Sequence, residues 1–202
     1  MHKATEQEKF WAGTFGEAYI ERNRGSEILA SNIALFSQIL NRSCGIKSVL
    51  EFGANIGLNL RAISSLLPSV TLMGVELNKK ATSELSDFVH YAYCASILGE
   101  KVWEKADFVL SKGLLIHIAP SNLSKAYGSL YDASNKYICI VEYYNPTPVE
   151  IVYRNHRNQL WKRDFAGEML DYYSLKLLDY GFVYHKDSNF RQDDVHWWLM
   201  EK

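Results

Sequence analysis

Glu51 and Glu76 are the two acids whose type and spacing first suggest chemistry. Glu51 stands two residues before Gly53 in the stretch VLEFGANIGLNL, and Glu76 closes the apolar run TLMGVE one helix and one strand later. A strand that runs into a glycine turn and then a helix offers backbone N–H groups and a helix N-terminus to a ligand. Nucleotide enzymes bind pyrophosphate there, with glycines permitting close approach. Here Asn55 replaces the middle glycine; asparagine is the non-glycine residue best able to take a positive φ. Gly53 and Gly57 keep the turn and the packing. A carboxylate at 51 disfavours pyrophosphate and favours a cation or amine. A carboxylate after the second strand can accept both hydroxyls of a ribose. The pair points to an adenosine cofactor with an intact ribose and a cationic tail, and S-adenosylmethionine (SAM) fits. Taken alone, the loop is equally readable as a strand–turn–helix joint whose glycines only serve packing.

Three further segments carry reactive side chains. Ser111–Pro120 follows the fourth apolar run and holds Lys112 and His117, with backbone groups near Ser111 placed to receive an amine. His117, with an unperturbed pKa of about 6.5, reads either as a general base or as a histidine that orients the loop. Glu142–Arg163 (EYYNPTPVEIVYRNHRNQLWKR) has two prolines that force an extended turn. Glu142, Tyr143, Asn145, Arg154, His156, Arg157 and Arg163 give it a polar, aromatic and basic character, with Tyr143 and His156 as further candidates for proton transfer. In a chain of net charge −1, this cluster either suits a carboxylate or phosphate acceptor, which Arg binds bidentately, or forms a solvated face. Finally, Phe10, Trp11, Phe15 and Tyr19 form either an aromatic lid, attractive to a cation, or a helix packed on the sheet edge. Arg22 or Arg24 would meet a carboxylate there. The histidines lack metal-ligand spacing, so no metal is expected.

Alternating strands and helices must position these residues. Apolar runs at Ser48–Phe52, Thr71–Glu76, Val89–Tyr93, Phe108–Ser111 and Tyr137–Tyr143 read as strands, with helices over Gly57–Leu67 and Lys79–Phe88. This order implies a parallel sheet with right-handed crossovers, buried on both faces. Residues 5–23 read as a helical segment broken near Gly13 and Gly16, and residues 26–40 as a helix capped by Ser26. Leu175–Leu178 reads as a helix end, followed by strands at Gly181–His185 and Val195–Glu201. The length of 202 residues fits one domain. Three cysteines without a C-x-x-C pair, Cys44, Cys94 and Cys139, read as buried thiols in a reducing, cytoplasmic setting. The near-neutral charge offers no field for nucleic acid or an anionic membrane.

E-F-G-A-N-I-G followed by G-V-E-L-N resembles motifs I and II of the class I SAM-dependent methyltransferases, and the likeness continues through DFVLSKG and IHI. The departures are Asn55 and the absence of an acid after the third strand, where Tyr93-Cys94-Ala95-Ser96 stands. SKGLLIHI, EYYNPTPVEIVYR and KRDFAGEMLD resemble the small methylases associated with pseudaminic acid (nonulosonic acid) biosynthesis, over nearly the whole chain. The resemblance implies cofactor contacts at Tyr19, Arg22, Glu51, Phe52, Gly53, Asn55, Gly57, Asn59, Glu76, Leu77, Ala95, Ser96, Ser111, Lys112 and Gly113. It implies S-adenosyl-L-homocysteine (SAH) as product and a sugar-type small-molecule acceptor, with the protein a monomer or homodimer.

The expected fold is α/β, Rossmann-like: a mostly parallel seven-stranded sheet with one antiparallel C-terminal strand and helices on both faces. One domain divides into a lid (1–44), a cofactor core (45–145), a substrate-facing insertion (146–172) and a strand pair (173–202). Two competing functions are a nucleic-acid or protein methyltransferase and a non-catalytic SAM-binding module. N-P-T-P at 145–148 bears on the first, but it follows the fifth strand and lacks the stacking aromatic a flipped base would need.

Overall fold

The computed structural model describes residues 2–202. In chain order the helices are α1 (Glu6–Ala12), α2 (Thr14–Arg22), α3 (Ser26–Leu40), α4 (Leu58–Leu66), α5 (Lys79–Ser86), α6 (Leu123–Ala133) and α7 (Phe165–Tyr172). The strands are β1 (Ser48–Phe52), β2 (Thr71–Glu76), β3 (Tyr91–Cys94), β4 (Ala106–Lys112), β5 (Ser134–Glu142), β6 (Val149–Glu150), β7 (Trp161–Lys162), β8 (Lys176–Val183) and β9 (Val195–Glu201). The near-continuous apolar runs of β1, β2, β4 and β5 are buried on both faces, as strands sandwiched between helices must be.

Seven strands form one sheet in the order β3-β2-β1-β4-β5-β9-β8. Neighbours from β3 to β5 pair parallel, while β9 runs antiparallel to both β5 and β8. On one face, Phe36 and Ile39 of α3, Leu60 and Ile63 of α4 and Leu85 of α5 pack on Val49, Leu72, Phe108 and Val141. On the other, Tyr127 and Leu130 of α6 with Phe165 and Met169 of α7 cover Leu50, Val75, Ile138 and Met200. The chain leaves β1 toward β2 on one side and returns to β4 on the other. The carboxyl ends of β1 and β4 therefore flank a crevice at the point where strand order reverses, which is where this architecture binds ligands.

Several expectations are corrected. The N-terminal helix breaks only at Gly13, which caps α1 and starts α2; Gly16 lies inside α2. Gly25, with φ 130°, is the N-cap of α3 and Ser26 its first helical residue, without a side-chain cap. The third strand begins at Tyr91: Val89 N still bonds Leu85 O at the end of α5, and His90 makes the first contact with β2 by donating its N–H to Leu72 O. Leu177 and Leu178 belong to β8 rather than to a helix: α7 stops at Tyr172, and the free edge of β9 offers hydrogen bonds that an extended chain satisfies. Only Cys139 is buried; Cys44 and Cys94 are exposed. Among the described residues no helix is long and apolar enough to cross a membrane.

The glycine turn after β1 has little slack. Gly57 has φ +81°, and a Cβ there would stand 2.8 Å from Leu85 Cδ1. Replacing Gly57 with Ala should cost about 1–2 kcal/mol, the scale of forcing an L-residue into left-handed backbone, read as a lower urea midpoint at unchanged slope.

Candidate functional site

A cavity of about 650 Å³ opens at the carboxyl ends of β1, β2, β4 and β5. That lies within the roughly 300–1,000 Å³ typical of small-molecule sites. The glycine turn forms one wall. Gly53 N and Ala54 N donate to Val75 O of the neighbouring strand (2.8 and 3.1 Å), and Asn55 takes φ 48°. The Glu76 carboxylate, at the end of β2, accepts from two backbone amides, Asn55 N at 2.9 Å and Asn78 N at 2.7 Å. Burial raises its pKa against the pull of those amides. A carboxylate oxygen can accept more than one hydrogen bond, so this cavity-lining carboxylate keeps acceptor capacity of the kind a diol needs.

The floor is acid-rich. Glu51 is fully buried on β1 beneath the turn, and Asn59 Nδ2 donates to its Oε1 at 2.6 Å. Burial pushes its pKa up to about 8, against Asn59 and the Lys112 charge. Glu142, at the end of β5, is equally buried and also pushed up to about 8 by burial. Its Oε1 accepts from Leu114 N (2.9 Å), Leu115 N (2.8 Å) and Ser111 Oγ (3.3 Å), tying the loop after β4 in place. Lys112 lies at the end of β4, where burial lowers its pKa while Glu51, Glu142 and Asp193 oppose the shift. Glu51 Oε2, Asn55 Oδ1, Asn59 Oδ1 and Glu142 Oε2 are buried without a hydrogen-bond partner. Buried acceptors without donors are costly, and a cation brought up to the floor would offset part of that cost through the field, without touching them.

The roof comes from α1 and α2. Gln7, Glu8, Trp11, Gly16, Tyr19, Ile20 and Arg22 face the cavity. Gln7 Nε2 donates to Asn158 O at 2.8 Å and Asn78 Nδ2 to Trp11 O at 3.1 Å, so the roof is pinned on two sides. Glu8 is the N3 glutamate of a capping box begun by Thr5. Although burial opposes it, contacts with the Ser96 hydroxyl, Thr5 N–H and His2 hold the Glu8 carboxyl below its usual range. Tyr19 is pushed up to about 12 by burial. Among the described residues no cluster of His, Cys, Asp and Glu could hold a metal.

No family model matches the chain, and no curated protein matches it by sequence. Solved structures do match. A SAM-dependent methyltransferase of Leishmania major aligns with a TM-score of 0.72 at 14% identity, over 98% of this chain and 87% of its own. Magnesium protoporphyrin IX methyltransferase from Synechocystis, with bound SAM, aligns at 0.67 and 12% identity over 100% of both chains. The Burkholderia thailandensis 1,6-didemethyltoxoflavin-N1-methyltransferase, with bound SAH, aligns at 0.69 and 13% over 100% of this chain and 92% of its own. The fold is that of the class I SAM-dependent methyltransferases.

Within this methyltransferase fold, the residues singled out in the sequence divide into three groups. Tyr19, Arg22, Gly53, Asn55, Asn59, Glu76, Leu77, Ala95, Ser96, Lys112, Gly113, His117, Glu142, Tyr143 and Arg154 all line the cavity. Glu51, Phe52, Gly57 and Ser111 lie behind it, shaping the turn and the floor. Glu51 is not the fixed negative charge expected, because burial favours its neutral form. His156, Arg157, Asn145 and Arg163 are apart from it. His156 packs on the outer side of the roof against Phe10, ring centres 4.9 Å apart, and Arg157 is exposed. Asn145 closes its own turn onto Thr147 O. Arg163 grips Glu168 of α7, which also accepts from Tyr127 Oη. Glu142 holds a loop through its Oε1 and keeps its other oxygen buried, so it offers no free face to an acceptor.

The proton-transfer candidates also change character. His117 Nδ1 stands 2.6 Å from Gln159 O, a carbonyl, so that nitrogen carries the proton. Burial lowers its pKa to about 4, and its ring lies against Trp11 at 4.5 Å. It is a neutral wall residue. Tyr143 Oη donates to Asp193, and burial together with that carboxylate raises its pKa. Polar cavity residues that went unremarked in the sequence include Gln7, Glu8, Asn78, Tyr153, Arg191 and Asp193. The capping pattern T-E-Q-E at 5–8 marks Glu8 in retrospect.

The buried acids set a pH response. Glu51 and Glu142 bind protons more tightly folded (about 8) than at their ordinary 4.5, so their contribution is full below 4.5 and lost as pH rises through 8. His117, depressed from 6.5 to about 4, acts oppositely but only below 6.5. Between pH 6.5 and 8 the urea midpoint should therefore fall, and in Glu142→Gln the decline should be shallower.

Proposed function

We propose that this chain is a SAM-dependent methyltransferase acting on an anionic small molecule, a sugar acid of the nonulosonic type or its nucleotide-linked form. The observation that carries the cofactor is Glu76, a half-buried carboxylate held by two amides and lining a cavity at the strand-order reversal. Its remaining acceptor capacity suits a ribose diol. The acid-rich floor beneath Asn55 and Asn59 favours an ammonium through its field, and Arg22 on α2 suits the carboxylate of the same amino-acid tail. Ala95 and Ser96, with Glu8 facing them from the roof, border the space for a purine. When bound, SAM would supply a methyl group on a sulfonium, which a nucleophile takes in line as the sulfur leaves.

The chain's own part is to bind, orient and exclude water. Trp11, Tyr19 and Tyr153 close the cavity with aromatic surface. Arg154, at the tip of the β6–β7 hairpin, and Arg191, before β9, add cations beside the opening and suit an acidic acceptor. The neighbours act on small molecules, a porphyrin and a toxoflavin precursor by name, which agrees with a small acceptor in an enclosed site. Tyr143, held by Asp193, lines the same space and can orient an acceptor hydroxyl.

Calorimetry tests the cofactor: SAM should bind saturably, and Glu76→Ala should weaken it about 10–100-fold, the worth of hydrogen bonds to a charged group. Absence of binding, or binding unaltered by the substitution, removes the reading. For the acceptor, mass spectrometry of sugar-acid and nucleotide-sugar pools incubated with enzyme and SAM should reveal a product one methylene heavier. Methyl incorporation into tRNA, DNA or protein instead would overturn the small-molecule assignment.

A further inference from the structure

We propose that Lys112 accepts the proton that the acceptor hydroxyl or amine loses during methyl transfer. This rests on the methyltransferase reading above. Lys112 is the last residue of β4, the central strand at the order reversal, and it opens onto the cavity floor. Its neighbours are arranged around an amine that changes charge. Glu51 faces it from β1, Glu142 from β5 and Asp193 from the segment before β9. Glu76 of β2 adds a further acid beside Glu51. From the roof, α2 contributes Tyr19 and Arg22 to the same cavity.

The other candidates are committed elsewhere. His117 spends one nitrogen on Gln159 O and is held neutral and weakly basic by burial. Tyr143 donates its hydroxyl to Asp193 and resists ionisation. The free oxygens of Glu51 and Glu142 are sealed from the cavity space, whereas Lys112 is only partly buried. Lys112 is thus the basic group of the floor that an acceptor can touch. The two carboxyls behind it are placed to stabilise an ammonium as it forms.

An ordinary lysine is protonated and cannot act as a base; here the site's own contents would supply the remedy. A sulfonium held in the cavity that Lys112 lines would oppose its protonation, on top of the burial that already does so. With SAH, whose sulfur is neutral, that opposition disappears. Lys112 then holds its proton less tightly before transfer than after it. In the step itself the acceptor oxygen or nitrogen forms its bond to the methyl carbon and the C–S bond breaks. The electron pair of that bond stays on sulfur, and the acceptor's proton moves to Lys112 Nζ. The proton returns to solvent once the products leave.

The test is NMR of protein carrying lysine labelled with 13C at Cε, in which the resonance absent from Lys112→Arg is assigned to Lys112. If Arg at this position prevents folding, Lys112→Met serves for the assignment. Titrated with saturating SAM, the Lys112 signal should show its midpoint at least about one pH unit below that with saturating SAH, a tenfold change in proton affinity. Glu142→Gln, which removes a facing carboxyl, should lower both midpoints and keep the gap between them. Equal midpoints with the two ligands, or a signal protonated with SAM to the ordinary lysine range, overturns the assignment. Failure of both SAM and SAH to bind sinks the cofactor reading and this inference with it, whereas equal midpoints with both bound sinks only the role of Lys112.

Discussion

One carboxylate joins the parts of this molecule that matter most. Glu76 draws the amide of Asn55 from the glycine turn and the amide of Asn78 from the start of α5 onto its two oxygens. The turn after β1 and the turn after β2 are thereby locked side by side, and Asn78 in turn caps α5 and reaches Trp11 of the roof. Removing the charge would release two loops and one side of the lid together. The positive φ of Asn55 and Gly57 makes sense in the same terms: the backbone must curl tightly for its N–H to reach Glu76.

Around that anchor the floor concentrates acids in a place where water cannot solvate them. Glu51 and Glu142 flank β4 from β1 and β5, and each leaves one oxygen without a partner. A stability-optimised core would not keep such groups. Their persistence at the strand ends, together with the lowered basicity of Lys112, is the signature of a site whose charges become useful when something cationic arrives. The side of the floor that lacks donors and the opening lined by arginines give the cavity two chemically different ends.

The sheet was readable from residues because its strands obey simple rules. SVLEF and TLMGVE are continuous apolar runs ended by an acid or a glycine turn, and both occur over the expected residues. The helix over 26–40 was equally plain from its apolar stripe. What escaped depended on contacts distant in sequence. No local pattern tells that Glu8 meets Ser96, that Arg163 is consumed by Glu168, or that Tyr143 is held by Asp193. The same holds for charge state: Glu51 looks like a fixed anion in a string of letters, and only its burial turns it into a weak acid. Cys44 and Cys94 misled for the mirror reason, since apolar neighbours in sequence were not neighbours in space.

Glu8 has one more consequence. As the N3 residue of a seven-residue helix it closes the capping box with Thr5, and the same carboxylate rests against Ser96 beside the cavity. So short a helix holds together largely through its cap and its packing. Cap and cavity wall therefore share one residue: lifting the roof at that end would mean uncapping α1, as well as releasing Gln7 from Asn158 O. Fraying of that single turn, an event of the nanosecond-to-microsecond range, would then disturb the cap and the Ser96 side of the cavity together.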